Sequence, residues 1–385
     1  MNGHIQHQVF MKSVTLAIMM FLAVSAKAEF RLFNLGALGG PLPPGVNSVT
    51  INDRGEIIGN DASTKGIEHA FYYWDGAFHS LGTNPCVATA INDAGRIVGS
   101  RQVLVTNVWY SNPGGPPTGT NVGFAQQPVV FRDGSPVNLF PGINYGDAAG
   151  INDNGEIVGS VSLSNELAHG FAYVNGVTTD LGSGFQATGI NNCGDIVGQG
   201  FPSPVALLYH GGVIEDLGTL GGSFALPTSI NDLAEVVGWS ATTSNAENHA
   251  FLYRDGTMTD LGALGPLPPG TPVFPGGPAI LSYSYAFAIN NWGQVVGAST
   301  STNGQRAFLY WDGTMVDLNC LVKLTHINGP AGFLALTSAS SINDRGQIVG
   351  EGSYWDGTNK TGNAFLLDLH PERRDQKNDW NPPHR

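Results

Sequence analysis

The sequence predicts an all-β protein: a seven-bladed β-propeller with four strands per blade, its ring closed by an N-terminal strand that completes the last blade. Three observations carry the prediction. One phrase recurs seven times, Gly (53 residues) and Pro (23 residues) are abundant in a 385-residue chain, and the two chain ends hold complementary pieces of one repeat. Repeats of this period, rich in turn residues, are the mark of propeller blades.

The phrase is a small residue, Ile-Asn, a short turn closing in Gly or Ala, and a polar-led apolar run ending in Gly. Its copies begin at Ile51, Ile91, Ile151, Ile190, Ile230, Ile289 and Ile342. Three intervals are 39 or 40 residues and the others 53 to 60, as expected when one unit repeats and its connections accept insertions. In the first copy, strand one is Ser48 to Ile51, and Asn52-Asp53-Arg54-Gly55 supplies the turn into strand two, Glu56 to Gly59. Strand three is His69 to Trp74, Asp75-Gly76 is a tight turn, and strand four is Ala77 to Leu81. Strands three and four recur at His249 to Leu261 and Arg306 to Leu318.

The ends decide between ring and open stack. The last copy has strands one and two and a third strand at Asn363 to Leu367, but no fourth, whereas Phe30 to Gly36 reads as a fourth strand without its blade. Joining them removes exposed sheet edges. Thr50, Ala90, Gly150, Gly189, Ser229, Ala288 and Ser341, just before each repeat Ile, are small, as innermost strands converging on a narrow channel require.

Outside the repeat, basic Lys12, the apolar run Val14 to Val24 and small Ala26 and Ala28 read as an export signal cleaved after Ala28, so residues 1–28 are set apart from the fold. Residues 29–369 form the propeller, and the polar tail 370–385 is expected to be disordered. The protein is expected to be secreted or periplasmic, with no membrane span. Seventeen basic against 30 acidic residues give a net charge of −13, which disfavours nucleic acid and anionic lipid as partners. Cys86, Cys193 and Cys320 allow one intrachain disulfide at most and read as buried small hydrophobes.

The motifs Ile-Asn-Asp-x-Gly followed by Val-Gly, His249-Ala250-Phe251 and Asp260-Leu261-Gly262 make the chain similar to the extracellular repeat family called HAF, over nearly all of residues 30 to 369. The resemblance implies an exported bacterial protein and no settled chemistry. The His of the motif stands at His69, His169 and His249, and Val129, Val205, Arg306 and Asn363 take its place elsewhere. These histidines read as blade packing, and the seven repeat asparagines as Asx-turn caps. No calcium loop, zinc-binding pair, phosphate loop or nucleophile elbow is evident, so no metal or cofactor is expected.

In a four-stranded blade the one-to-two and three-to-four turns share one face, and the two-to-three and four-to-one connections share the other. Residues 101–127, 263–282 and 319–336 expand connections of the second kind, which makes that face the functional candidate. On or near it, Trp109, Tyr110, Tyr145, Asp147, Tyr283 and Tyr285 are candidate ligand contacts, offering flat apolar surface and oriented polar groups. Alternatively, these aromatics pack their own loops. Asp147 is the one carboxylate among its equivalents Asn47, Val87, Gln186, Leu226, Tyr285 and Ser338.

Three functions compete. The first is a noncatalytic binding module for an extracellular ligand, polysaccharide or protein. The second is a polysaccharide lyase or glycoside hydrolase, for which Tyr283, Tyr285, Lys323 and His326 are candidate catalytic groups. Convergence of these residues on one pocket would favour the enzyme, and dispersal would favour binding. The third is a structural cell-surface protein, for which self-association without a small ligand is expected.

Overall fold

The computed structural model describes residues 30–37, 49–62, 68–82, 85–110, 117–141, 145–162, 167–243, 247–268 and 282–369, without the side chains of 37, 61–69 and 106–124. The export signal and the polar tail lie outside the described residues. Seven four-stranded antiparallel sheets form a β-propeller. The first blade shows the plan: β2 (Val49–Ile51), β3 (Ile57–Ala62), β4 (Glu68–Trp74) and β5 (Ala77–Ser80) pair in chain order. Asp75 and Gly76 both take positive φ (52° and 79°), the geometry a two-residue hairpin needs to match strand twist. Asp255-Gly256 and Asp312-Gly313 repeat it.

The last blade consists of β26 (Gly332–Ile342), β27 (Gln347–Trp355), β28 (Lys360–Asp368) and, outermost, β1 (Arg31–Ala37). The predicted closure is therefore present, with Arg31 opposite Asp368 and Ala37 opposite Asn363. Burial explains why closure matters. Each blade-to-blade interface has its own apolar cluster, such as Val197 and Leu208 of the fourth blade with Val236 and Phe251 of the fifth. At the seam, Leu35, Val349 and Leu366 pack on Val49, Ile51 and Ile57. An open ring would expose both faces of that interface.

Strand one of every blade from the second to the seventh carries a bulge one residue before the small position, as between Ala88 and Ala90 or Ala286 and Ala288. The Gly of strand two lies beneath it. A Cβ on Gly297 would land on the Tyr285 carbonyl oxygen, and one on Gly99 would land on that of Val87. Each Val-Gly is thus a steric requirement. The small position works as expected: a Cβ on Gly150 would meet Gly189 Cα of the next blade at 3.4 Å.

The second blade departs from the sequence reading. Of residues 101–127, the described ones are strand rather than loop: β7 (Ile97–Tyr110) and β8 (Pro117–Arg132) continue, paired from Ile97–Phe131 to Tyr110–Pro117. Its motif is also shifted by two residues. Gly99 faces Val129 as Gly238 faces Phe251, so Gln127, not Val129, holds the His position. All three cysteines are free, and Cys193 and Cys320 are exposed, so only Cys86 fits the buried reading. Cys193 occupies the third place of a one-to-two turn, on the surface, where its N–H donates to Asn191 Oδ1.

Candidate functional site

The repeat asparagines do cap their turns, and they also lock the ring. Asn52 Oδ1 accepts from the backbone N–H of Arg54 (3.1 Å) and Glu56 (2.9 Å). Its Nδ2 donates to the carbonyl of Asn92 in the next blade at 2.9 Å. The same step runs through Asn92, Asn152, Asn191, Asn231, Asn290 and Asn343, which returns to Asn52 at 2.8 Å. All seven are buried. Buried amides satisfied this way fix the angle between blades, because any slip leaves polar groups unpaired.

A second circle surrounds the channel mouth one residue further on. The backbone N–H of Asp53 donates to Asp93 Oδ1 (2.8 Å), and the pattern continues through Asp153, Asn192, Asp232, Asn291 and Asp344, whose N–H donates to Asp53 Oδ1 (2.7 Å). These residues, with the isoleucines and all the repeat asparagines but Asn231, line a cavity of about 220 Å³ on the short-turn face. Asn192 and Asn291 bridge carboxylates on either side of themselves. The arc Asp344–Asp53–Asp93–Asp153 has no such amide. Burial first, and then the facing Asp344 carboxylate, pushes Asp53 up to about 7, and burial raises Asp93 and Asp344 as well. Sequence reasoning missed this mouth. Its signal was present, since the residue after the repeat Asn is Asp or Asn in every copy.

The motif histidines hold the outer strands. His249 Nδ1 meets both oxygens of Asp260 at 2.9 and 3.0 Å, and His169 meets Asp180 likewise. Each aspartate also caps the backbone two residues on, Asp260 Oδ1 accepting from Gly262 at 2.7 Å. At the seam the pair becomes Asn363 Nδ2 to Asn34 Oδ1, 2.9 Å. The bond to Asp260 raises His249 above its ordinary value. Its buried Nε2 has no hydrogen-bond partner among the described residues and faces Glu247 Oε2 at 3.8 Å.

The candidate residues on the long-connection face fall on different blades. Tyr145 and Asp147 begin the third blade, Asp147 within β10 (Gly146–Ile151). Tyr145 is exposed, while burial alone pushes Asp147 up to about 6. Tyr285 lies in β22 (Ser284–Ile289) of the sixth blade, with Tyr283 just ahead of it. The two tyrosine rings stack at 5.1 Å, and Trp239, which the sequence did not single out, meets Tyr285 edge-on at 5.3 Å. Burial raises both phenols. Lys323 and His326 lie in the connection to the seventh blade, where the His326 carbonyl accepts from Gly329 N–H. Among the described residues no hydrogen bond or ring contact joins them to either tyrosine. The side chains of Trp109 and Tyr110, in the hairpin of the second blade, lie outside the described residues, as do 269–281 of the second expanded connection.

Residues 215–378 match the family model DUF3466, described as "Protein of unknown function". No curated protein matches the chain. Among solved structures, it is similar to the Pyrococcus horikoshii acylaminoacyl peptidase, with 12% identity and a TM-score of 0.46 over 79% of this chain and 50% of that one. A puromycin-hydrolyzing peptidase of Mycobacterium tuberculosis gives 12% identity and 0.45 over 86% and 56%, and TolB from Acinetobacter baumannii 15% and 0.36 over 64% and 61%. The chain thus spans about half the length of the peptidases it resembles.

Proposed function

We propose that the protein is an exported, noncatalytic binding module that takes an extracellular ligand, with a carbohydrate as the preferred class, on the face of its long connections. The observation that carries the reading is dispersal. The candidate ligand contacts sit on the second, third and sixth blades, and among the described residues no hydrogen bond or ring contact joins Lys323 or His326 to Tyr283 or Tyr285, which supports binding over a lyase base and cation gathered around one reacting bond. Stacked Tyr283 and Tyr285 beside Trp239 suit a sugar ring, which presents a flat apolar face and hydroxyls at its edge. The opposite face is occupied by ring-locking bonds, which support a scaffold role for it. The leader-like N-terminus supports export.

The test is equilibrium binding of the purified protein to a panel of neutral and acidic polysaccharides, with unsaturated and reducing ends assayed in parallel. Binding without products, weakened at least about tenfold in Tyr285→Ala, is expected. Products that vanish in Tyr285→Phe or His326→Ala would replace this reading with the enzyme. Binding insensitive to Tyr285→Ala but lost in Leu233→Asp, on the turn face, would move the site across the ring.

A further inference from the structure

The long hairpin of the second blade exposes strand edge that most of the ring keeps short. Outer strands are where a propeller exposes unpaired backbone, and five of them, β5, β9 (Ser135–Asn138), β17 (Val213–Asp216), β21 (Thr257–Asp260) and β25 (Thr314–Asp317), are cut to four residues. β7 and β8 instead run well past their neighbours. β9 covers β8 only from Val129 to Arg132, and a single parallel bridge from Tyr145 reaches Gln126. Among the described residues nothing pairs with β8 from Pro117 to Ala125 on its outer side.

The free groups can be placed from the pairing alone. Gln102 N–H donates to the Pro85 carbonyl, away from β8. Because outward and inward groups alternate along a strand, Leu104, Thr106 and Val108 also turn their backbone groups away from β8. Their partners Phe124, Val122 and Thr120 then turn theirs away from β7, to the open side. No Asp, Glu, Lys, Arg or His occurs from Gln102 to Phe131, although the chain as a whole carries a net charge of −13. Copies of so acidic a protein repel one another over most of their surface. This edge lacks the charges that would keep copies apart, and between Thr120 and Phe124 it holds no Lys, Pro or bulge, since Pro117 and the register shift opposite Trp109 and Tyr110 lie at its start.

We propose that β8 pairs antiparallel with β8 of a second copy of this chain, about a two-fold axis at Val122, so that the second blades of two rings form one continuous sheet. Val122 then faces its own symmetry mate and Thr120 faces Phe124, which gives about six main-chain hydrogen bonds. A self-paired edge is isologous and closes at two copies, so the uncharged strand does not propagate into a fibre.

Sedimentation velocity of the purified protein across a range of concentrations tests this. A dimer is expected whose dissociation constant rises at least about tenfold in Val122→Pro, which removes one outward N–H and leaves the hairpin's own bonds intact. Val122→Lys, which adds charge without touching the backbone, is expected to do the same, so misfolding of one variant leaves the other to decide. Ile214→Lys on β17 is expected to change nothing. In a Cys193→Ser, Cys320→Ser background, Val122→Cys should give a covalent dimer on oxidation. A monomer at every concentration, or a dimer that survives both Val122 variants, overturns the proposal.

Discussion

Replacing Asp53 by Asn should stabilise the ring, and by an amount that depends on pH. Asp53 sits where the circle of turn residues closes, accepting the Asp344 N–H, with Asp344, Asp93 and Asp153 as its carboxylate neighbours. Its carboxyl rises from 3.8 to about 7 on folding. A raised carboxyl means that the folded state holds a proton the unfolded chain has released. The associated stability is present in full below about pH 4, declines as pH rises, and is gone above about pH 7. The full shift corresponds to about 4 kcal/mol, and water at the open mouth reduces this to roughly 2 kcal/mol. Asparagine keeps the accepting Oδ1, as Asn192 and Asn291 do at equivalent places, and carries no charge. Melting curves of both proteins from pH 4 to pH 8 are the assay. They should nearly coincide at pH 4, and Asp53→Asn should melt about 3 °C higher at pH 8, from roughly 2 cal/mol/K of unfolding entropy per residue. A variant less stable than the parent at pH 8, or a difference that does not change with pH, would refute the reasoning.

Three further outcomes follow from the same geometry. Gly297→Ala should lower stability by about 3 kcal/mol or more, read by denaturant titration, because the new methyl meets the Tyr285 carbonyl and the Phe308 ring. Asn290→Ala should cost about 2–4 kcal/mol, since it frees the N–H groups of Trp292 and Gln294 and the Asn343 carbonyl at once. His249→Gln should cost about 1 kcal/mol at pH 5 and less at pH 8: the folded-state value of His249 is raised, so its contribution is complete below the unfolded value near 6.5 and fades as pH rises past the folded one. Melting at the two pH values checks this.

Much of the architecture is legible in the sequence because a blade is a local object. Ile-Asn-Asp-x-Gly and the Asp-Gly hairpins report structure made within one repeat, the strand at Phe30–Gly36 supplies the piece the last repeat lacks, and the structure places them as expected. What was hidden lies between repeats. The Asp53-to-Asp344 circle depends on each turn reaching the next blade, which no single copy reveals. The second blade was misaligned because Gln127-Pro128-Val129 lacks both the His and the Phe of the motif, and an uncharged run of alternating residues reads equally as loop or strand. On the long-connection face, the stacked tyrosines were found because they break the pattern. Trp239 was not, because it lies within the repeated strand β19 (Val236–Thr242) at a place where the copies vary freely, holding Asn60, Ser100, Ser160, Gln199, Ala298 and Glu351 elsewhere.

Every element of this account, from the two circles of turn residues to the division between faces, requires the ring to close through its N-terminal strand. Hydrogen exchange of the intact protein measures that directly at the backbone amides of Arg31–Ala37. The account predicts protection there equal to that of Lys360–Asp368, with the two segments opening together. Exchange of Arg31–Ala37 at the rate of a free chain, while the neighbouring strand stays protected, would contradict it.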